Sequence, residues 1–190
     1  MTANAIDLCQ VSDVKAWLNI TQVDATNDAL IQRLITGASD FIEQYLSRDI
    51  VVTTYTSERY NGPGGSTLML ANWPIVAVTA ITVTDQSGTV LSTFAASDCW
   101  FDYRTVYLNN GNVFTKGLGN VTVTYQAGYA SIPFGLTQAC IELVAHRYRE
   151  RDRIGLASKG MAGETTAYVV TDMPKSTRAY LDQIKNVVPA

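Results

Sequence analysis

DALIQRLITGASDFIEQYLSRDIVVTTYTSERY, residues 28–60, changes its period halfway along. Up to Arg48 the apolar residues Leu30, Ile31, Leu34, Ile35, Ala38, Phe41, Ile42, Tyr45 and Leu46 recur at steps of three and four. Sustained over several turns, that spacing predicts an amphipathic helix with one buried stripe. Asn27 stands where an N-cap belongs, and Arg48 near the far end suits the negative pole of the helix dipole. From Ile50 the chain turns to Thr, Val and Tyr, which favour the pleated surface of a sheet. A helix that gives way to strands within one stretch predicts an α+β fold.

Outward from this junction the same contrast persists. Upstream, "DVKAWLNI" (13–20) predicts a short helix capped by Ser12, with Val14, Trp17 and Leu18 on one side, and "TQVDATND" (21–28) breaks it. Downstream, "VVTTYTSERY", "STLML", "VAVTAITVTD", "TVLSTF", "TVYLN" and "NVTVTYQAGY" predict short strands. The turn signals "NGPGG", "DQSG", "NNGN" and "KGLGN" separate them. Pro133 then opens a third helix, a position that has no amide hydrogen bond to lose. Its apolar stripe is Leu136, Ala139, Cys140, Leu143, Val144 and Tyr148. Glu142, His146, Arg149, Glu150 and Arg153 lie opposite, and Gly155 ends it. The expected architecture is a single domain, 1–190: a small helical bundle with an inserted antiparallel β-rich block. The N-terminal helices occupy 1–49, the β-rich insertion 50–130 and the third helix 133–155. A flexible C-terminal segment, 156–190, holds a short strand at "TAYVV" and a helix after Pro174.

Composition narrows the function. Charged residues make up 16% of the chain, below the usual quarter, a bias shown both by surfaces that protein partners cover and by small compact domains. The net charge of −3 argues against a generally basic nucleic-acid binder. Cys9, Cys99 and Cys140 show no paired spacing, so reduced cysteines in the cytoplasm are expected. "MTANAIDLCQ" lacks the basic and apolar regions of a signal peptide, and no run approaches 18 apolar residues, so no membrane segment is expected.

Chemistry-bearing motifs are sparse. His146 has Glu142 and Glu150 four residues away on either side, a spacing that a solvated helix face produces by default. There is no second histidine for a metal site. "NGPGGST" lacks the Lys-Ser/Thr ending of a phosphate loop and is expected at a hairpin tip. Asp98 and Asp102 flank "CWF" at strand spacing, too few donors for a metal. No catalytic, cofactor or metal residue is assigned. The pronounced feature is "RYRERDRIGLASK" (147–159), which carries five positive and two negative residues, leaving −6 on the rest of the chain. Such polarity marks a helix end laced with salt bridges, a docking face for a protein, or a grip on a nucleic-acid backbone.

"VKAWL", the long helix 28–48, "WPIVAVTAI", "NVTVTYQAGYASIP", "LTQACIELVAHRYRERDRIGLASKGMAGE" and "DMP" occur in an order that resembles the gp6-like head–tail connector (adaptor) proteins of tailed bacteriophages. The resemblance spans nearly the whole chain. It implies a structural virion protein of the neck, made in the host cytoplasm, without cofactor or catalysis. Its subunits would form a homo-oligomeric ring, expected to be twelve-fold, under the portal protein. Stopper or tail-completion proteins would dock below, and DNA would pass through the lumen without specific binding. Arg147, Arg149, Arg151, Arg153, Lys159, Lys175 and Arg178 are then the candidate protein interface, and the segment after Gly155 would order on the portal. Two other roles stay open here: a stopper or tail-completion protein, and a nucleic-acid-binding protein that uses the basic helix end. A third, a small hydrolase built on His146, has no substrate class to suggest it.

Overall fold

The computed structural model describes residues 6–151, 158–161, 164–167 and 172–185, the second and third of these as backbone. Helices α1 (Val11–Leu18), α2 (Asp28–Leu46), α3 (Phe134–Glu150) and α4 (Lys175–Ile184) flank a block of strands in sequence. The strands are β1 (Thr53–Gly62), β2 (Thr67–Met69), β3 (Ile75–Thr84), β4 (Val90–Ala95), β5 (Cys99–Phe101), β6 (Thr105–Leu108) and β7 (Gly117–Ala127). A two-stranded hairpin of β8 (Ser158–Met161) and β9 (Glu164–Ala167) follows α3. The class is α+β, and the chain divides into two compact units: a helical one, 1–48 with 132–190, and a β unit, 49–131.

In the helical unit, α2 forms where the period predicts. Asn27 is its N-cap, and Ser47, in the left-handed region at φ 55°, ends it. Ile31, Ile35, Ala38, Ile42 and Leu46 are buried, and each aliphatic side chain removed from water contributes about 1.5–3 kcal/mol. Helix α3 packs against all three other helices and buries Leu136, Ala139, Cys140, Ile141, Leu143, Val144 and Ala145. The expected end at Gly155 lies outside the described residues.

Helix α1 departs from expectation. Its cap is Gln10 rather than Ser12, with Asp13 accepting the Gln10 amide at 3.1 Å. Its inward positions are Val14 and Lys15, with Val11 and Leu18 half-buried, at the steps of three and four that a helix face requires. Trp17 points outward and is 50% exposed, while Lys15 is 2% exposed. The Lys15 ammonium lies 2.5 Å from the Asp28 carboxylate and donates to Gln22 O (3.2 Å) and Asp24 O (2.6 Å). One cation therefore ties α1, the connection after it and the first turn of α2.

The β unit contains a four-stranded antiparallel sheet in the order β1-β7-β3-β4 and a three-stranded one in the order β2-β6-β5. Inward residues of both supply one core, among them Leu68, Val78, Ile81, Phe94, Val106, Val121 and Val123, joined by Phe114 from the connection between β6 and β7. "NGPGGST" joins β1 to β2, which lie in different sheets, so it is a crossover between sheets rather than a hairpin tip. "CWF" is itself a strand, β5. The "GLGN" read as turn belongs to the start of β7, whose Gly117 pairs with Gly62. A cluster of tyrosines closes one part of this core. Tyr125 and Tyr60 both donate to Glu58 Oε2, at 2.6 and 2.8 Å, their hydroxyls are 3.0 Å apart, and Tyr55 stacks on Tyr125.

Candidate functional site

The arginine run begins on α3, whose helical period distributes it over different surroundings. Arg147 turns toward α2, where its guanidinium donates to Gly37 O at 3.2 Å and lies 5.0 Å from the Phe41 ring centre. It serves as a tether within the helical unit. Arg149 is exposed, and no hydrogen bond or ion pair of its side chain occurs among the described residues. Arg151, just past the end of α3, lays its guanidinium 4.0 Å over the Tyr148 ring. That stacking restrains the planar guanidinium against the aromatic ring.

Arg149 and Arg151 share a cleft of about 630 Å³ with Trp17 from α1 and with Glu142, His146 and Tyr148 from α3. The exposure of Trp17 follows from the buried Lys15: once position 15 faces inward, position 17 lies about 200° further round the helix. Glu142, a candidate partner for His146, is otherwise engaged. Its Oε2 accepts from Ser176 Oγ (2.9 Å) and Thr177 Oγ1 (3.0 Å), and its Oε1 accepts from Gln138 (3.1 Å). Pro174 caps α4, so Glu142 fixes the first turn of that helix to α3. Met173 of the "DMP" triplet is buried beside it.

Lys175 and Arg178 are exposed on α4. Arg153 lies outside the described residues, and of Lys159 only the backbone, in β8, is described. Sequence reasoning missed Trp17 as a surface residue, because a tryptophan reads as core and a lysine as solvent-facing.

The acids considered for a metal do local work. Asp98 Oδ2 accepts the Ala95 amide at 2.9 Å, and Asp102 Oδ1 accepts the Tyr103 amide at 2.6 Å. Among the described residues no three His, Cys, Asp or Glu side chains converge, and no helix is long and apolar enough to cross a membrane.

No curated protein matches the chain. Solved structures with a similar fold include chains of gene transfer agent (GTA) particles. A chain in the neck of an empty GTA particle, computed with C6 symmetry, is 20% identical with a TM-score of 0.58, covering 100% of this chain and 95% of that one. A chain of the native GTA virion is 18% identical with a TM-score of 0.57, again over 100% and 95%. A third, in the neck of the native particle computed with C12 symmetry, is 19% identical with a TM-score of 0.55, over 100% and 94%. At these identities the likeness is one of fold. The head completion protein family, by contrast, matches by sequence over residues 7–187, and the chain belongs to that family.

Proposed function

We propose that the protein is a structural subunit of the virion neck, a head–tail adaptor that forms a ring beneath the portal protein and continues the DNA channel toward the tail. The observation that carries this reading is the family match over residues 7–187, nearly the full length. Fold likeness to chains in necks computed with C6 and C12 symmetry supports it, since C6 is a subgroup of C12 and a twelve-fold ring satisfies both. Stopper or tail-completion proteins are the partners on the tail side. The function calls for shape and adhesion, with no reaction step.

A closed ring requires two unlike side faces that meet head to tail. Arg149, Arg151, Lys175 and Arg178, to which the sequence adds Arg153 and Lys159, are the positive charges we assign to the acids of a neighbour or of the portal, and the remainder of a chain of net charge −3 supplies the opposite sign. The same net charge suits a channel wall along which DNA slides, because a basic lumen would hold phosphates by counterion release. Arg147 contributes through its tether to α2.

The test is charge reversal. Arg149→Glu, Arg151→Glu and Arg153→Glu combined should leave the circular dichroism spectrum unchanged and weaken ring or portal association at least about tenfold. Association at parental strength would remove the arginine face from the account. Retardation of duplex DNA at about 0.15 M salt would favour a nucleic-acid-binding role instead.

A further inference from the structure

Residues 7–9, just ahead of α1, are held firmly across α2 and α3. Asp7 accepts from Gln32 Nε2 (2.6 Å) and Thr36 Oγ1 (2.8 Å), and the Leu8 amide donates to Ser39 Oγ at 3.0 Å. The next residue, Cys9, places its sulfur 3.5 Å from that of Cys140 on α3. Both side chains are buried, and 131 positions separate them in sequence. Two thiols in van der Waals contact need an approach of about 1.5 Å to reach disulfide bonding distance.

We propose that Cys9 and Cys140 are a latent disulfide: a dithiol while the protein is made in the cytoplasm, joined once the particle stands in an oxidising medium. The occasion for closure rests on the neck reading, since a virion component leaves the reducing compartment in which it folds. The capacity to close rests on the sulfur geometry alone. In the exchange, one cysteine sulfur displaces a thiol from a small-molecule disulfide, and the other then displaces the second thiol to form Cys9–Cys140. Two protein thiols are oxidised, one external disulfide is reduced to two thiols, and the two cysteine protons pass to the departing thiolates. Local opening of the segment ahead of α1 admits the reagent.

The surroundings favour the closing step. Cys9 donates its S–H to Cys140, which pushes the Cys9 thiol up and draws the Cys140 thiol down despite its burial. Ser39, its oxygen occupied by the Leu8 amide, has a hydroxyl 3.6 Å from the Cys140 sulfur that stabilises the same thiolate. The bond would staple the chain start to the helix that bears the arginine face, closing a loop long enough for a large effect on the unfolded chain.

Cys99 serves as internal control. Its sulfur lies in the β unit, 3.8 and 3.7 Å from the Ala95 and Ala96 carbonyl oxygens. The experiment treats the full-length protein with oxidised glutathione, unfolds it in the presence of an alkylating agent, and maps the cysteines by mass. Alkylated thiols should fall from three to one, at Cys99, with a Cys9–Cys140 linked peptide inside one chain. Tm should rise by about 5 °C or more and return on adding dithiothreitol. Cys9→Ser and Cys140→Ser should each abolish both the link and the reversible rise. Three thiols that survive oxidation, a link to Cys99, a link between chains, or glutathione retained on Cys9 would each overturn the proposal. None of those outcomes bears on whether the protein assembles into a ring.

Discussion

Replacing Lys15 by Met keeps the aliphatic stem and removes a charge that faces three oxygens. The ammonium contacts the Asp28 carboxylate at 2.5 Å and the carbonyls of Gln22 and Asp24 at 3.2 and 2.6 Å. Breaking a buried charged pair by deleting one partner costs about 3–5 kcal/mol. The Asp28 side chain as a whole is 38% exposed, which places the cost near the lower end, about 3 kcal/mol, although the Oδ1 that meets Lys15 is itself buried. For a chain of this length each kcal/mol moves Tm by about 2–4 °C. Lys15→Met should therefore melt about 6–12 °C below the parent in differential scanning calorimetry. Lys175→Met, at an exposed position of α4, is the control and should stay within about 0.5 kcal/mol. If Lys15→Met melts within 2 °C or so of the parent, the buried cation does not organise α1 and the reasoning fails.

Other outcomes follow from contacts already described. Burial, aided by the neighbouring carboxylates, pushes the Tyr55, Tyr60 and Tyr125 hydroxyls above the ordinary tyrosine range. A raised folded-state pKa stabilises the neutral form, so this contribution is full below about pH 10 and is lost as pH rises further. In an alkaline titration followed at 295 nm, these three of the ten tyrosines should ionise only as the β unit unfolds. Ionisation of all ten near pH 10 with native circular dichroism would contradict this. Glu142→Ala deprives the buried Thr177 hydroxyl of its acceptor, a loss of about 1–3 kcal/mol. Amide exchange in α4 should quicken, and Glu142→Gln, which keeps an acceptor oxygen, should restore most of the protection.

Much of the fold is legible because its period is strong. Helix α2 presents one apolar stripe over five turns, and the switch to Thr- and Val-rich sequence after Arg48 marks where strands begin. What escapes is decided by single contacts. Lys15 reads as surface and Trp17 as core until three oxygens are seen around the ammonium. Strand β5 is three residues long, and Trp100 and Phe101 within it are both exposed, so no alternation announces it. "NGPGGST" signals a turn, but local sequence does not say which sheets the turn connects. Gly128 of "YQAGYASIP" is conspicuous in the sequence, yet its reason lies elsewhere. With φ at +127°, a Cβ there would sit 2.5 Å from Val51 O.

The candidate site divides the same way. The run of arginines is evident from composition, whereas the division of labour between Arg147 and Arg149 depends on which elements each meets. Spacing gives no warning that Cys9 and Cys140, 131 positions apart, share a core.

The neck reading is tested most directly by the mass of the purified protein alone and mixed with its cognate portal, with class averages of any complex sorted by symmetry. A closed ring of twelve subunits on the portal is the predicted result. A protein that stays monomeric in both samples, with no density added to the portal, would contradict it.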